Sequence, residues 1–392
     1  MLKRIALGLC TLALIISCGK KKCSCPDDKP DLSPVVELPI PPSDGPNCDE
    51  IYGQCVDTRD TWRAEGGQIQ RNGKSQRVVG INWFGLETSV TQLHGLWTGR
   101  TIESFVDQVA ELKFNSIRVP LSPEALDESL PGSAGYPNPK AQLVALIDYA
   151  ATRDISILLD MHTCSRNNNH MNKPAPGVGS CGSYSESRWT ADLVKLAELA
   201  EGRPNIIGID IFNEPYGVTW QQWRGMSERA GAAILKANPK ILVFVEGVGN
   251  EGGAGQHSAF WGENLYDAGR DPVRLPASRL VYSPHVYGPT VAGQTYFNAP
   301  DFPRNMGEIW NEHWSHLVGK SPVIIGEWGG RNTGLDGIWQ GAFTDYLKKI
   351  KSVDAYYWCL NPNSGDTGGI LRDDWRTVDE AKYAVLKNLY DL

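Results

Sequence analysis

Eight short apolar runs, with segments of helical period between most of them, constrain the fold of this chain more than any other feature. They are "VVGINWF" (78 to 84), "SIRVPL" (116 to 121), "ISILLDMH" (155 to 162), "IIGIDIFN" (206 to 213), "ILVFVEG" (241 to 247), "LVYSPHVY" (280 to 287), "PVIIGEW" (322 to 328) and "AYYWCLNP" (355 to 362). Runs this short and this apolar read as strands buried on both faces. Between them, Ile102, Phe105, Val106, Val109 and Leu112, or Leu193, Leu196, Leu199 and Ala200, recur at helical spacing. Eight buried strands alternating with helices predict a (β/α)8 barrel. The competing open doubly wound sheet calls for a glycine-rich phosphate loop after an early strand, and "GINWFG" is not one.

The N-terminal part reads differently. "MLKRIALGLCTLALIISCG" has a basic start, an apolar stretch too short to span a membrane, and a small-residue end before Cys18. It is similar to the signals of bacterial lipoproteins, which implies removal of residues 1 to 17 and lipidation of Cys18. Residues 18 to 47 are rich in Pro and Asp and read as a tether. Residues 48 to 392 are expected to form the single folded domain, entered through a hairpin turning at Asn72 and Gly73. The expected location is exported, either anchored on a bacterial cell envelope or secreted. In that oxidising setting Cys48 with Cys55, and Cys164 with Cys181, are disulfide candidates, while Cys359 reads as a buried free thiol.

The net charge of -7, with no extended basic cluster, argues against a nucleic-acid surface. Tryptophan is unusually frequent, 13 against 9 Phe, and indole faces suit stacking on sugar rings.

In a barrel, the working residues sit where strands end, on the C-terminal face. The ends of the eight runs supply Asn82, Arg118, His162, Asn213 with Glu214, His285 with Tyr287, Glu327 and Trp358. Two glutamates, on the fourth and seventh runs, would face one another across the mouth. Glycosidic bond cleavage needs such a pair, one carboxyl to protonate the leaving oxygen and one to attack or stabilise the anomeric carbon. Arg118 would keep Glu327 ionised, Tyr287 would orient it, and His162 and His285 are expected as neutral donors around the cleft. Trp358 is the candidate central sugar platform. His94 and Trp97 in "HGLW", Trp261 in "AFWGEN", and Gln294 are candidates for neighbouring subsites, whereas Trp310, Trp314 and Trp339 fall in helical segments and read as packing. "EHWSH" lacks the glutamate placement of a zinc-protease helix, and "SGDTGGILRDD" misses calcium-loop spacing, so neither a metal nor a cofactor is expected.

"IIGIDIFNEP" resembles the signature of glycoside hydrolase family five. "NWFGLETS", "HGLW", "FNSIRVPLS", "FVEGV", "FPRNMGEIWNEHW" and "NPNSGDTGGILRDDW" look like the subfamily that includes bacterial endo-β-1,4-glucanases. The likeness runs from about residue 65 to 390. It implies that Glu214 is the general acid/base, that Glu327 is the nucleophile of a retaining reaction, and that Asn213 contacts the sugar 2-hydroxyl. The implied partner is a β-1,4-glucan, acted on by a monomer. The rival substrates are mannan, xyloglucan and mixed-linkage glucan, and the rival class is a carbohydrate-binding lipoprotein without catalysis. The chain differs from that subfamily mainly in the polar loop after His162, which bears on subsite shape rather than chemistry.

Overall fold

The computed structural model describes residues 48–59, 61–167, 174–249 and 257–392, all within one compact unit. Cys18, the signal and the tether lie outside the described residues.

Nine parallel strand segments make one sheet: β1 (Val79–Asn82), β2 (Ser116–Leu121), β3 (Ser156–Met161), β4 (Ile206–Asp210), β5 (Leu242–Val245), β6 (Leu280–Tyr282), β7 (His285–Tyr287), β8 (Ile325–Gly329) and β9 (Ala355–Tyr357). Their order is β6-β5-β4-β3-β2-β1-β9-β8-β7. The two outermost segments, β6 and β7, belong to one stave interrupted at Ser283 and Pro284. A curled sheet whose two edges are halves of the same strand is consistent with the eight-staved barrel, and it leaves no open edge. The sixth run therefore forms two segments rather than one. Proline supplies no ladder donor, so the break falls where the sequence puts Pro284.

Among the described residues the helices are α1 (Ile102–Glu111), α2 (Pro139–Ala151), α3 (Glu186–Leu199), α4 (Trp220–Ala237), α5 (Met306–His313), α6 (Gly334–Ile350) and α7 (Glu380–Tyr390). Local sequence starts them. Thr101, Asn138 and Ser185 each accept a backbone N–H of the first turn, and Thr219 with Gln222 forms a reciprocal capping box on α4. Between β5 and β6, among the described residues, the crossover holds a short 3-10 turn, Tyr266–Gly269, in place of a helix.

The barrel floor is closed by the hairpin strands Trp62–Glu65 and Gln68–Arg71, with Lys74–Ser75 pairing after the Asn72-Gly73 turn. Trp62, Ala64 and Ile69 pack there with the inward residues Leu158, Leu242, Phe244, Val281, Ile324 and Tyr356. Trp310, Trp314 and Trp339 are at most 2% exposed and pack in the helical layer.

Two irregularities aim the mouth. Along β3 the period of two puts Ile157, Leu159 and Met161 outward, so Leu158 and Asp160 face in. On β4 the register slips by one residue opposite Ile157 and Leu158, so that Ile207 faces in while Ile209 faces out and Asp210 comes inward. On β8 the register slips again between Ile325 and Trp328, and Glu327 turns inward although Ile325 and Trp328 both pack outward. Bulges next to functional sites re-aim side chains in this way, and strict alternation would have turned Glu327 to the helices.

Disulfides join Cys48 to Cys55 and Cys164 to Cys181, and Cys359 is a buried free thiol. Cys164 follows β3 by three residues, so its bridge joins the end of that strand to the 3-10 turn Gly179–Cys181. Closing a loop of 17 residues stabilises by about 3 kcal/mol in the chain-entropy model. A Cys164→Ser/Cys181→Ser variant is expected to melt several degrees below the parent; an unchanged thermal midpoint in calorimetry would assign the bridge no net stabilising role.

Candidate active site

Arg118 is the hub of the barrel mouth. It is not a strand-end residue but the third residue of β2, fully buried, and its guanidinium reaches upward to a ring of acceptors. Nη1 donates to Glu327 Oε1 at 2.6 Å and to Asn82 Oδ1 at 3.1 Å; Nη2 donates to Asn213 Oδ1 and Glu246 Oε1, both at 3.1 Å; Nε donates to Asp210 Oδ2 at 3.1 Å. Asp160 Oδ2 lies 3.1 Å from Nη2. Burial opposes the charge, yet Asp160, Asp210, Glu327 and Glu246 together hold the guanidinium's pKa well above its ordinary value. Asn82 also donates to the carbonyls of Gly326 and Tyr357, which fixes the spacing of β1, β8 and β9.

Glu327 accepts the Tyr287 hydroxyl at 2.6 Å on Oε2 and Arg118 on Oε1. Burial alone would raise its pKa, but the charges of His285 and Arg118 outweigh burial and hold it below the usual value. This carboxyl is ionised at neutral pH.

Glu214 follows Asn213 at a sharp turn beyond β4, with its backbone in the left-handed region at φ 45°. A non-glycine residue there costs about 1 kcal/mol or more unless its surroundings hold it. They do: the Glu214 N–H donates to Glu246 Oε2 at 2.7 Å. Its carboxylate meets His285 Nδ1 at 3.1 Å and keeps a quarter of its surface open to the cleft. Burial pushes the Glu214 carboxyl up to about 7, against the lowering effect of His285. Water at the cleft tempers that rise, but its direction is opposite to the shift of Glu327. Oxygens of Glu214 and Glu327 and a ring nitrogen of His285 all lie within 4.8 Å of one another.

The surroundings of His285 favour its charged form over the neutral donor expected of it. It is completely buried, which disfavours charge, yet Glu246 and Glu327 raise its pKa well above the ordinary value, with Glu214 adding to them. His162 Nδ1 is hydrogen-bonded with Asp160 Oδ2 at 2.6 Å, and its ring lies parallel to the Trp358 indole, centroids 5.8 Å apart. The Arg118 guanidinium and the His285 ring therefore sit among five acidic side chains, Asp160, Asp210, Glu214, Glu246 and Glu327.

Trp358 follows β9 and is stacked on its other neighbour, Phe84, at 5.5 Å; its indole N–H donates to Ser364 Oγ. From Phe84 the aromatic lane continues edge-on to His94 and then Trp97, which is 54% exposed. Asn363 holds the other side of His94 at Nδ1, 3.1 Å away. Trp261 is stacked on Tyr216, two residues beyond Glu214, with centroids 4.9 Å apart. Gln294 lies on another loop, where it accepts the Ser258 hydroxyl.

Sequence reasoning missed Asp160, Asp210 and Glu246. Each lies at the end of an apolar run that was read, "ISILLD", "IIGID" and "ILVFVE", and the signal was the charge itself, since a buried carboxylate needs a partner.

A family model described as "Cellulase (glycosyl hydrolase family 5)" matches residues 71–364. An endoglucanase of Paenibacillus polymyxa is 39% identical, covering 86% of this chain and 88% of that protein. The major extracellular endoglucanase of Xanthomonas campestris is 36% identical over 82% of this chain and 69% of its own length. The solved catalytic domain of the major Xanthomonas campestris endoglucanase matches with TM-score 0.79 and 34% identity, covering 84% of this chain and all of that one. A cellotetraose complex of a Pyrococcus horikoshii endocellulase variant matches with TM-score 0.77 and 32% identity, covering 84% of this chain and 98% of that one. With its paired glutamates at the mouth of a parallel sheet and these likenesses over most of its length, the chain belongs to the cellulases of glycosyl hydrolase family 5 and is a glycoside hydrolase.

Proposed function

We propose that this chain is a retaining endo-β-1,4-glucanase, with Glu327 as nucleophile and Glu214 as general acid/base. One observation carries the reading: two carboxyl groups have oxygens within 4.8 Å of each other, one held ionised and the other pushed up to about 7. Retaining enzymes keep their carboxyls about 5 to 5.5 Å apart, and inverting enzymes need a wider gap for water. Environments that separate two carboxyl pKa values assign the roles. Glu327 attacks the anomeric carbon while Glu214 protonates the leaving oxygen. Glu214 then takes a proton from the water that releases the sugar. Asn213, its Oδ1 engaged by Arg118, presents its amide N–H to the sugar 2-hydroxyl. Trp358, Trp97 and His94 line one arm of the cleft, and Trp261 with Gln294 the other.

The names of the relatives and the cellotetraose complex favour a β-1,4-glucan over mannan or xyloglucan. On carboxymethylcellulose, viscosity is expected to fall well before reducing ends accumulate, the mark of internal cleavage. Faster release from mannan or xyloglucan under the same conditions would overturn the substrate assignment.

The enzyme is exported, as the name of the extracellular Xanthomonas relative also suggests for that protein. We place its attachment at Cys18, after "LIIS", with residues 18 to 47 as spacer before a monomeric domain from residue 48. Cys18→Ser is expected to move the protein out of the membrane fraction with its activity intact; a wild-type protein already free of the membrane would overturn the anchor.

A further inference from the structure

Glu246 is used by none of the steps above, yet it touches the proposed acid/base once directly and once through His285. Its Oε2 accepts the Glu214 N–H at 2.7 Å, and its Oε1 lies 3.1 Å from Nε2 of His285, the ring whose Nδ1 meets Glu214 Oε1. Arg118 from β2 donates to the same Oε1, and Asp210 from β4 faces it within 4.8 Å. The rest of its surroundings fit it closely. Trp223 of α4 donates to the Glu246 carbonyl, and Gly262, at φ 74°, leaves the space above: a Cβ there would meet Glu246 Oε2 at 2.7 Å and the His285 ring at 3.2 Å.

We infer that Glu246 is a positioning residue for Glu214, holding its backbone in the left-handed turn through Oε2 and steering the His285 ring toward its carboxyl through Oε1. The inference rests on Glu214 being the acid/base. A left-handed Glu214 without its N–H acceptor relaxes toward ordinary backbone angles, which carries the carboxyl away from the leaving oxygen. Loss of the Oε1 contact frees the imidazole to turn away from the Glu214 carboxyl. Glu246 does not touch Glu327 and reaches it only through Arg118 and His285, while Arg118 Nη1 and the Tyr287 hydroxyl still hold both Glu327 oxygens, so formation of the glycosyl-enzyme from a substrate that needs no proton is expected to suffer far less than proton transfer.

That selectivity is the test. Glu246→Ala is expected to lower turnover of carboxymethylcellulose and of aryl β-cellobiosides with poor leaving groups by about 10²-fold, the lower end of what a general acid contributes. The burst rate on 2,4-dinitrophenyl β-cellobioside is expected to stay within about threefold, and its amplitude counts correctly folded sites. Glu246→Gln keeps an acceptor for the Glu214 N–H, so it is expected to recover part of the loss, and it decides the matter if Glu246→Ala does not fold. The double variant with Glu214→Ala should be no slower than Glu214→Ala alone, because both act through one group. Equal losses on both kinds of substrate, or no loss on either, overturn the inference. Glu214→Ala serves as the reference: if it lacks leaving-group dependence, the acid/base assignment falls and the inference with it; if it shows that dependence and the Glu246 variants do not, only the inference falls.

Discussion

Glu327→Gly is expected to lose turnover on every substrate by at least about 10⁴-fold, because no other group in the mouth can take its place at the anomeric carbon. The Glu327 oxygens are fixed by Arg118 and Tyr287 at 2.6 Å each, so the nucleophile is aimed before substrate arrives. Removing the side chain opens a space of carboxylate size, and azide is expected to enter it and restore turnover of activated cellobiosides as the α-glycosyl azide. Glu214→Ala removes only the proton donor. It is expected to lose about 10² to 10⁴-fold on cellulose while still forming its glycosyl-enzyme from substrates with good leaving groups. There azide attacks the covalent intermediate and gives the β-azide. Proton NMR of the two products reads both roles: opposite anomers support the assignment, whereas the same anomer from both variants, or wild-type turnover in either, would reverse or remove it.

The glutamates themselves were legible because each interrupts an apolar run and stands beside a turn, "FNEPYG" and "GEWGG", where no packing role accounts for a charge. The strand count was legible for the same reason, as were α1 and α3 from their apolar spacing. What could not be read was direction. Alternation along "PVIIGEW" turns Glu327 outward, and only the register slip opposite β9 brings it in; Asp210 depends in the same way on the slip opposite β3. A bulge is a relation between two strands, so one strand's residues do not announce it. The surroundings of His285 were hidden for a related reason. A histidine at a strand end reads as a neutral donor until Glu246, Glu327 and Glu214, from three other staves, are placed around it.

Arg118→Met is expected to be the most destabilising single change at the mouth, and to be worse the higher the pH. Methionine fills much of the volume, so the loss is electrostatic rather than a cavity. Removing one partner of a buried ion pair costs about 3 to 5 kcal/mol when the other is left charged. Here the remaining partners can escape by taking up protons. Even with Arg118 present, burial pushes Asp160 and Asp210 up to about 7 and Glu246 to about 8. Without the guanidinium, which lowers all three, they rise further. A carboxyl whose folded pKa lies above its unfolded value stabilises the fold while it is protonated, and that contribution is lost as pH rises through the folded pKa. The variant is therefore expected to lie close to wild type in stability near pH 5 and to fall behind by several kcal/mol near pH 8, measured by denaturant titration at each pH. Activity should show the opposite edge. Burial raises Glu327, and His285 with Arg118 hold it down, so losing Arg118 moves the acid limb of kcat/KM upward. A stability gap independent of pH would mean that Arg118 serves the mouth by packing, and an unmoved acid limb would mean that His285 alone keeps Glu327 ionised.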